Sequence, residues 1–121
     1  MSKIYYSKTH EWALVDGNTA KIGISNYAQK ELGDIVFIDL PSVGDSITAN
    51  NAFCEVESVK AVSEINAPID GKIIAVNSEL EDSPEIINDN ALSAWICEIE
   101  VSGKVSGLLD EDEYFDYIKS L

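Results

Sequence analysis

Arginine is absent from the 121 residues, and all eight basic residues are lysines. Recognition of a phosphate backbone needs a basic footprint and is usually built on guanidinium forks. A composition of 22 acids against eight lysines, a formal net charge of −14, therefore argues against nucleic acid as a partner. The same surplus repels an anionic membrane. No apolar run approaches the ~20 residues that a transmembrane helix needs. Histidine occurs once, as His10, and methionine once, as Met1. Cysteine occurs twice, Cys54 and Cys97, outside any CxxC or Cys/His cluster, which argues against zinc. Two buried thiols in a reducing compartment are expected instead. With one histidine, no nucleophile motif and no metal-ligand spacing, hydrolase and metalloenzyme chemistry has almost no support. The segment Met1-Ser2-Lys3-Ile4-Tyr5-Tyr6 lacks the apolar stretch of a secretory signal, so a bacterial-type cytoplasmic location is expected.

What the chain does have is a globular composition, 45% hydrophobic, and a length that suits one domain over residues 1–121. Its charge is uneven. Residues 1–60 carry five lysines and eight acids (5 − 8 = −3), and residues 61–121 carry three lysines and fourteen acids (3 − 14 = −11). Short alternating segments with frequent turn residues predict an antiparallel sandwich or small barrel. They are 11–15 and 19–24 around Asp16-Gly17-Asn18, a buried strand at 35–40, 52–57, 62–67, 72–76 after an Asp70-Gly71 turn, and 95–101. Helices are expected at 25–32, capped by Ser25 or Asn26 and ended by Gly33, and as a brief turn after Ser83-Pro84. The tail, about 110–120, is the best helix: Asp110 and Glu113 stand in capping-box relation. Tyr114, Tyr117, Ile118 and Leu121 recur at helical spacing.

The most informative stretch is Glu57-Ser58-Val59-Lys60-Ala61. Two strand-like arms, within about 52–67, flank a connection carrying the only lysine between Lys30 and Lys72. A lysine on a protruding turn lifts its amine clear of the backbone and suits enzymatic modification, although composition alone favours an ordinary solvated lysine.

Glu57-Ser58-Val59-Lys60-Ala61, with Gly44-Asp45 upstream and Ala67-Pro68-Ile69-Asp70-Gly71-Lys72 downstream, resembles the lipoyl attachment site of the glycine cleavage system H protein family. Further blocks are similar in the same order: His10-Glu11-Trp12, Gly23-Ile24-Ser25-Asn26-Tyr27-Ala28-Gln29, Leu32-Gly33-Asp34, Leu40-Pro41-Ser42-Val43-Gly44, Val76-Asn77 and Pro84-Glu85-Ile86-Ile87-Asn88. The chain departs from the family pattern at Asn90-Ala91-Leu92 and Ser93-Ala94-Trp95, away from Lys60.

The resemblance implies a mainly β fold, a lipoyl-type flattened β-barrel (barrel-sandwich hybrid) with short helices and a C-terminal helix. It implies lipoic acid in amide linkage to Lys60 and no catalytic residues, the cofactor carrying the chemistry. The implied function is to carry an aminomethyl group from a pyridoxal-phosphate-dependent glycine decarboxylase to a tetrahydrofolate-dependent aminomethyltransferase. Reoxidation by dihydrolipoyl dehydrogenase follows, and a lipoate ligase or lipoyl transferase attaches the arm. A relay that donates lipoyl groups to other complexes would carry the same residues. The mitochondrial matrix is the alternative location if a transit peptide was removed.

Around the site, Gly44, Glu57, Ser58, Val59, Ala61 and Gly71 are expected to set recognition or turn shape. Gly44 and Gly71 would let strand turns pass closely behind the hairpin. Thr9, His10, Glu11 and Glu64 are expected as docking contacts for the loaded arm, with a structural role for His10 near Trp12 as its other reading. Glu31 stands where many relatives have a polar residue or histidine. A biotin carrier would flank its lysine with methionines, whereas Lys60 has Val59 and Ala61.

Overall fold

The computed structural model describes residues 2–103, 105 and 107–121. Met1, on which the biotin and N-terminal arguments partly rest, lies outside them. Among the described residues, nine strands form two sheets. They are β1 (Ser2–Tyr6), β2 (Glu11–Asp16), β3 (Thr19–Ile24), β4 (Ile35–Asp39), β5 (Ser46–Ile47), β6 (Ala52–Ser58), β7 (Val62–Asn66), β8 (Gly71–Val76) and β9 (Cys97–Val101). The larger sheet runs β1-β2-β3-β9-β8-β5 and the smaller β4-β6-β7, with every strand pairing antiparallel. Four helices complete the chain: α1 (Asn26–Leu32), α2 (Glu79–Asp82), α3 (Ile86–Asp89) and α4 (Glu111–Lys119).

Alternation along the strands builds the core. Ile22, Ile73, Cys97 and Ile99 from the larger sheet meet Ile35, Ile38, Cys54, Val56 and Ile65 from the smaller in one buried cluster. Both cysteines are free and buried; burial pushes the Cys54 thiol up and the Cys97 thiol to about 12, so neither is a reactive thiolate. A second cluster joins Tyr6, Trp12 and Tyr114 beneath α4. Tyr6 and Tyr114 stack with ring centroids 4.2 Å apart. Trp12 lies opposite Gly23 in the β2–β3 register, and only a glycine leaves room there for the indole.

Ser25 caps α1 by accepting the Ala28 N–H at 3.1 Å, and the Asp110–Glu113 capping box of α4 is fully formed. Several expectations need correction. Segment 35–40 is not a buried strand throughout: a bulge between Ile35 and Phe37 turns Val36 and Phe37 outward. The brief turn after Ser83-Pro84 forms, with the Ile86 N–H on the Ser83 carbonyl at 3.1 Å, but α3 that follows has no side-chain cap. Leu121 lies beyond α4 and is exposed, so the apolar face of that helix is Tyr114, Tyr117 and Ile118. Gly71 opens β8 instead of making a tight turn. Strands β1 and β5 and helix α2 carry no distinctive signal in the sequence, being short or edge elements.

Candidate functional site around Lys60

Strands β6 and β7 pair with Glu57 opposite Val62 and Glu55 opposite Glu64, leaving Ser58–Ala61 as the connection. Lys60 stands exposed at its tip. The Ser58 hydroxyl shapes the turn by accepting the N–H groups of Lys60 and Ala61, each at 3.2 Å. The Ser58 N–H donates to the Ala61 carbonyl at 2.8 Å, and the Val59 N–H donates to the Asp34 carbonyl at 3.0 Å. The tip is therefore tied to the α1–β4 junction as well as to its own hairpin.

That junction turns on Gly33, with φ 77° and ψ −154°, a conformation open essentially only to glycine. A Cβ added there would lie 3.4 Å from Lys60 Cε, so the lysine stem rests over Gly33. Gly33→Ala is expected to cost about 1–3 kcal/mol of stability through its backbone conformation. Urea unfolding measures this, and a loss near zero would contradict the strained geometry.

Below the tip, β6 and β7 help line a cavity of about 170 Å3 with α1 and the start of β2. Ser63, Glu64 and Ile65 line it, three to five residues from Lys60, or roughly 10–16 Å along the strand. The structure brings Thr9, His10, Glu11 and Glu64 together in this lining, and adds Glu31 to them. Among the described residues, three carboxylates and no lysine thus line the space.

Glu11 is the most buried of them, 3% exposed, and its carboxylate is held by donors. One oxygen accepts the Ser7 hydroxyl at 2.6 Å and the Thr9 hydroxyl, and the other accepts the Asn66 N–H at 3.3 Å. Burial raises its pKa, partly offset by those hydrogen bonds. A raised native pKa means that the folded state binds the proton more tightly than the unfolded state. The stability owed to Glu11 is then greatest below the ordinary carboxylate pKa and declines as pH rises through the raised one. In urea titrations between pH 4 and 7, wild type is expected to lose stability relative to Glu11→Gln as pH rises. A constant difference would contradict this.

His10 takes φ 77° in the β1–β2 turn. Its partner belongs to the cluster around Trp12: Nδ1 lies 2.8 Å from the hydroxyl of Tyr114 on α4, which donates to Ser25 Oγ at 2.7 Å. Since that hydroxyl has one proton, His10 Nδ1–H is the donor to it. Burial lowers the His10 pKa against an opposing pull from Glu31. The ring packs 4.5 Å from Tyr27, so a chain from α4 to α1 fixes one wall of the cavity. Tyr27 and Asn88 fall in family-like blocks and Tyr114 on the tail helix, but nothing local in the sequence ties any of them to Lys60.

Neither flanking glycine adjoins the Lys60 turn. Gly44 has φ 99° and open space around it, and Gly71 has no room for a Cβ because the Glu100 carbonyl and Ile99 of β9 would each lie 2.7 Å away. Glu57 points outward in a cross-strand row with Phe37 and Val62, next to a row of Asp39, Glu55 and Glu64. Three like charges in register repel one another.

Two antiparallel sheets closed on one core, with short helices and a C-terminal helix, make this a lipoyl-type flattened β-barrel, a barrel-sandwich hybrid. The crystal structure of a glycine cleavage system H protein from Mycobacterium marinum superposes with a TM-score of 0.86 at 33% identity, covering 98% of both chains. A glycine cleavage system H protein of Staphylococcus haemolyticus is 50% identical over 97% of this chain and 95% of its own length. A probable glycine cleavage system H protein of Pyrococcus horikoshii is 48% identical over 98% and 91%. The family described as glycine cleavage H-protein matches residues 4–121. The chain belongs to the glycine cleavage H-protein family.

Proposed function

We propose that this chain, acting as a single carrier domain in the cytoplasm, bears lipoic acid on Lys60. It moves an aminomethyl group from glycine decarboxylase to the tetrahydrofolate-dependent aminomethyltransferase and then meets dihydrolipoyl dehydrogenase. The observation that carries this reading is Lys60 on a braced, exposed hairpin tip whose strands run down to a carboxylate-lined cavity. The fit is good: nothing buries the lysine, and the cavity lies about one acylated side chain away along the same strands. When attached, lipoic acid supplies the sulfur chemistry of aminomethyl acceptance and thiol–disulfide exchange.

The chain's own residues do the rest. Ser58 and the Asp34 carbonyl present the Lys60 amine to the ligase or transferase, with Glu57, Val59 and Ala61 framing it. Ile24, Leu32 and Ile65 offer apolar walls for an alkyl arm. Glu11, already oriented by Ser7, Thr9 and Asn66, accepts a cationic amine with little reorganisation, and Glu31 and Glu64 add to the negative field. Shielding the amine there holds the cargo away from water between enzymes, and tethering raises its effective concentration at each stop.

In a reconstituted glycine–bicarbonate exchange with the decarboxylase, lipoylated protein is expected to support exchange and unmodified protein to give background only. Failure of the lipoylated form would favour the relay reading instead. The net charge of −14 and the carboxylate row beside Lys60 should steer the carrier to basic faces. Raising salt from low to 0.5 M is therefore expected to lower kcat/KM of exchange, and salt-independent rates would argue against steering.

A further inference from the structure

We infer that Asn88 is a positioning residue for Lys60, acting through the α1–β4 junction rather than by contact with the lysine. The inference rests on the Lys60 reading above. Asn88 lies on α3, and its carboxamide makes three hydrogen bonds to that junction. Its Oδ1 accepts the Ile35 N–H at 2.8 Å, while its Nδ2 donates to the Gly33 carbonyl at 2.9 Å and to Gln29 Oε1 at 3.0 Å. One planar side chain thus joins the last turn of α1, the glycine that ends it and the first residue of β4.

The junction it holds is the shelf under the lysine. Gly33 lies against the Lys60 stem, and the Asp34 carbonyl receives the Val59 N–H of the lysine turn. Gly33 reaches its φ of 77° without a steric penalty, but it lacks the side-chain support that would hold it in that one conformation. Asn88 supplies that support from a different part of the chain. Without it, the Gly33-Asp34 peptide is free to rotate, the Val59 anchor is lost, and the tip samples shapes other than the one a modifying enzyme must clasp. An enzyme that binds one tip conformation then sees an apparent affinity reduced by the fraction of chains holding it. The signature is a raised KM with kcat unchanged, because a tip once bound presents the same amine.

The test follows mass gain at Lys60 against carrier concentration with lipoate, ATP and a lipoate ligase, at a temperature where every variant is folded. Amide exchange of Val59 is read by NMR on the same samples. Asn88→Ala is expected to raise KM about three- to tenfold with kcat unchanged, and to speed Val59 exchange by a similar factor. Asn88→Asp keeps the acceptor for Ile35 and loses both donors, so it gives the same signature and serves if the alanine variant fails to fold. Asn77→Ala removes a comparable amide brace, on the Trp95 carbonyl at 2.9 Å, and is expected to change neither readout. A folded Asn88 variant with wild-type KM overturns the inference, whether or not Val59 exchange has changed. If wild type itself gains no mass at Lys60, the Lys60 reading falls, and Val59 exchange alone still decides whether Asn88 holds the turn.

Discussion

Lys60→Arg is expected to reduce glycine–bicarbonate exchange, after treatment with lipoate and ligase, to the background of a reaction lacking the carrier. The substitution keeps a long cationic stem over Gly33, so the turn retains its shape, but a guanidinium stays protonated and is not acylated. Lys21, Lys30, Lys72 and Lys119 lie within β3, α1, β8 and α4 and not on a hairpin tip like that of Lys60. On the proposed function the effect is all-or-none rather than graded, because an attached lipoyl group would supply the reacting atoms. Exchange retained at even a tenth of the wild-type rate would mean that another group carries the cargo.

Gly23→Ala is expected to be strongly destabilising. The new Cβ would lie 2.5 Å from Trp12 Cζ2, 2.6 Å from Cε2 and 2.8 Å from Nε1. The indole has little freedom to withdraw, because it is 2% exposed and its Nε1 donates to the Ala91 carbonyl at 3.0 Å. Overpacking of this kind costs about 1–3 kcal/mol, and losing the indole hydrogen bond adds about 1 kcal/mol. Against a total stability of about 5–15 kcal/mol, that is a large fraction. Thermal unfolding should show Tm lower by roughly 6–20 °C. The double variant with Trp12→Phe should recover part of the loss, since a smaller ring vacates the contested space. Equal Tm values for wild type and Gly23→Ala would show that the β2–β3 pair is looser than its geometry.

The elements visible in the sequence are those whose determinants are local. The β6–β7 hairpin, the Ser25 cap and the Asp110 capping box each depend on residues within a few positions, and each forms where expected. Local patterns said less about β4, where one extra residue rotates Phe37 outward, and about α2, too short for a periodic signal. The site divides in the same way. Lys60 and its flanking turn are contiguous, whereas the shelf beneath it joins Gln29, Gly33, Asp34 and Asn88 from two separate segments. His10 shows the limit most clearly: its hydrogen-bond partner is 104 positions away on α4, beyond any motif. Gly71 does admit a close approach, from β9, and Gly44 has open space around it, which shows that proximity in a motif does not by itself give proximity to the lysine.

The most direct test is intact-mass and peptide mapping of wild type after incubation with lipoate, ATP and ligase. The account predicts one lipoyl adduct per chain, confined to the peptide containing Lys60, and none on Lys60→Ala. An adduct spread over several of the eight lysines, or undiminished in the variant, would contradict it.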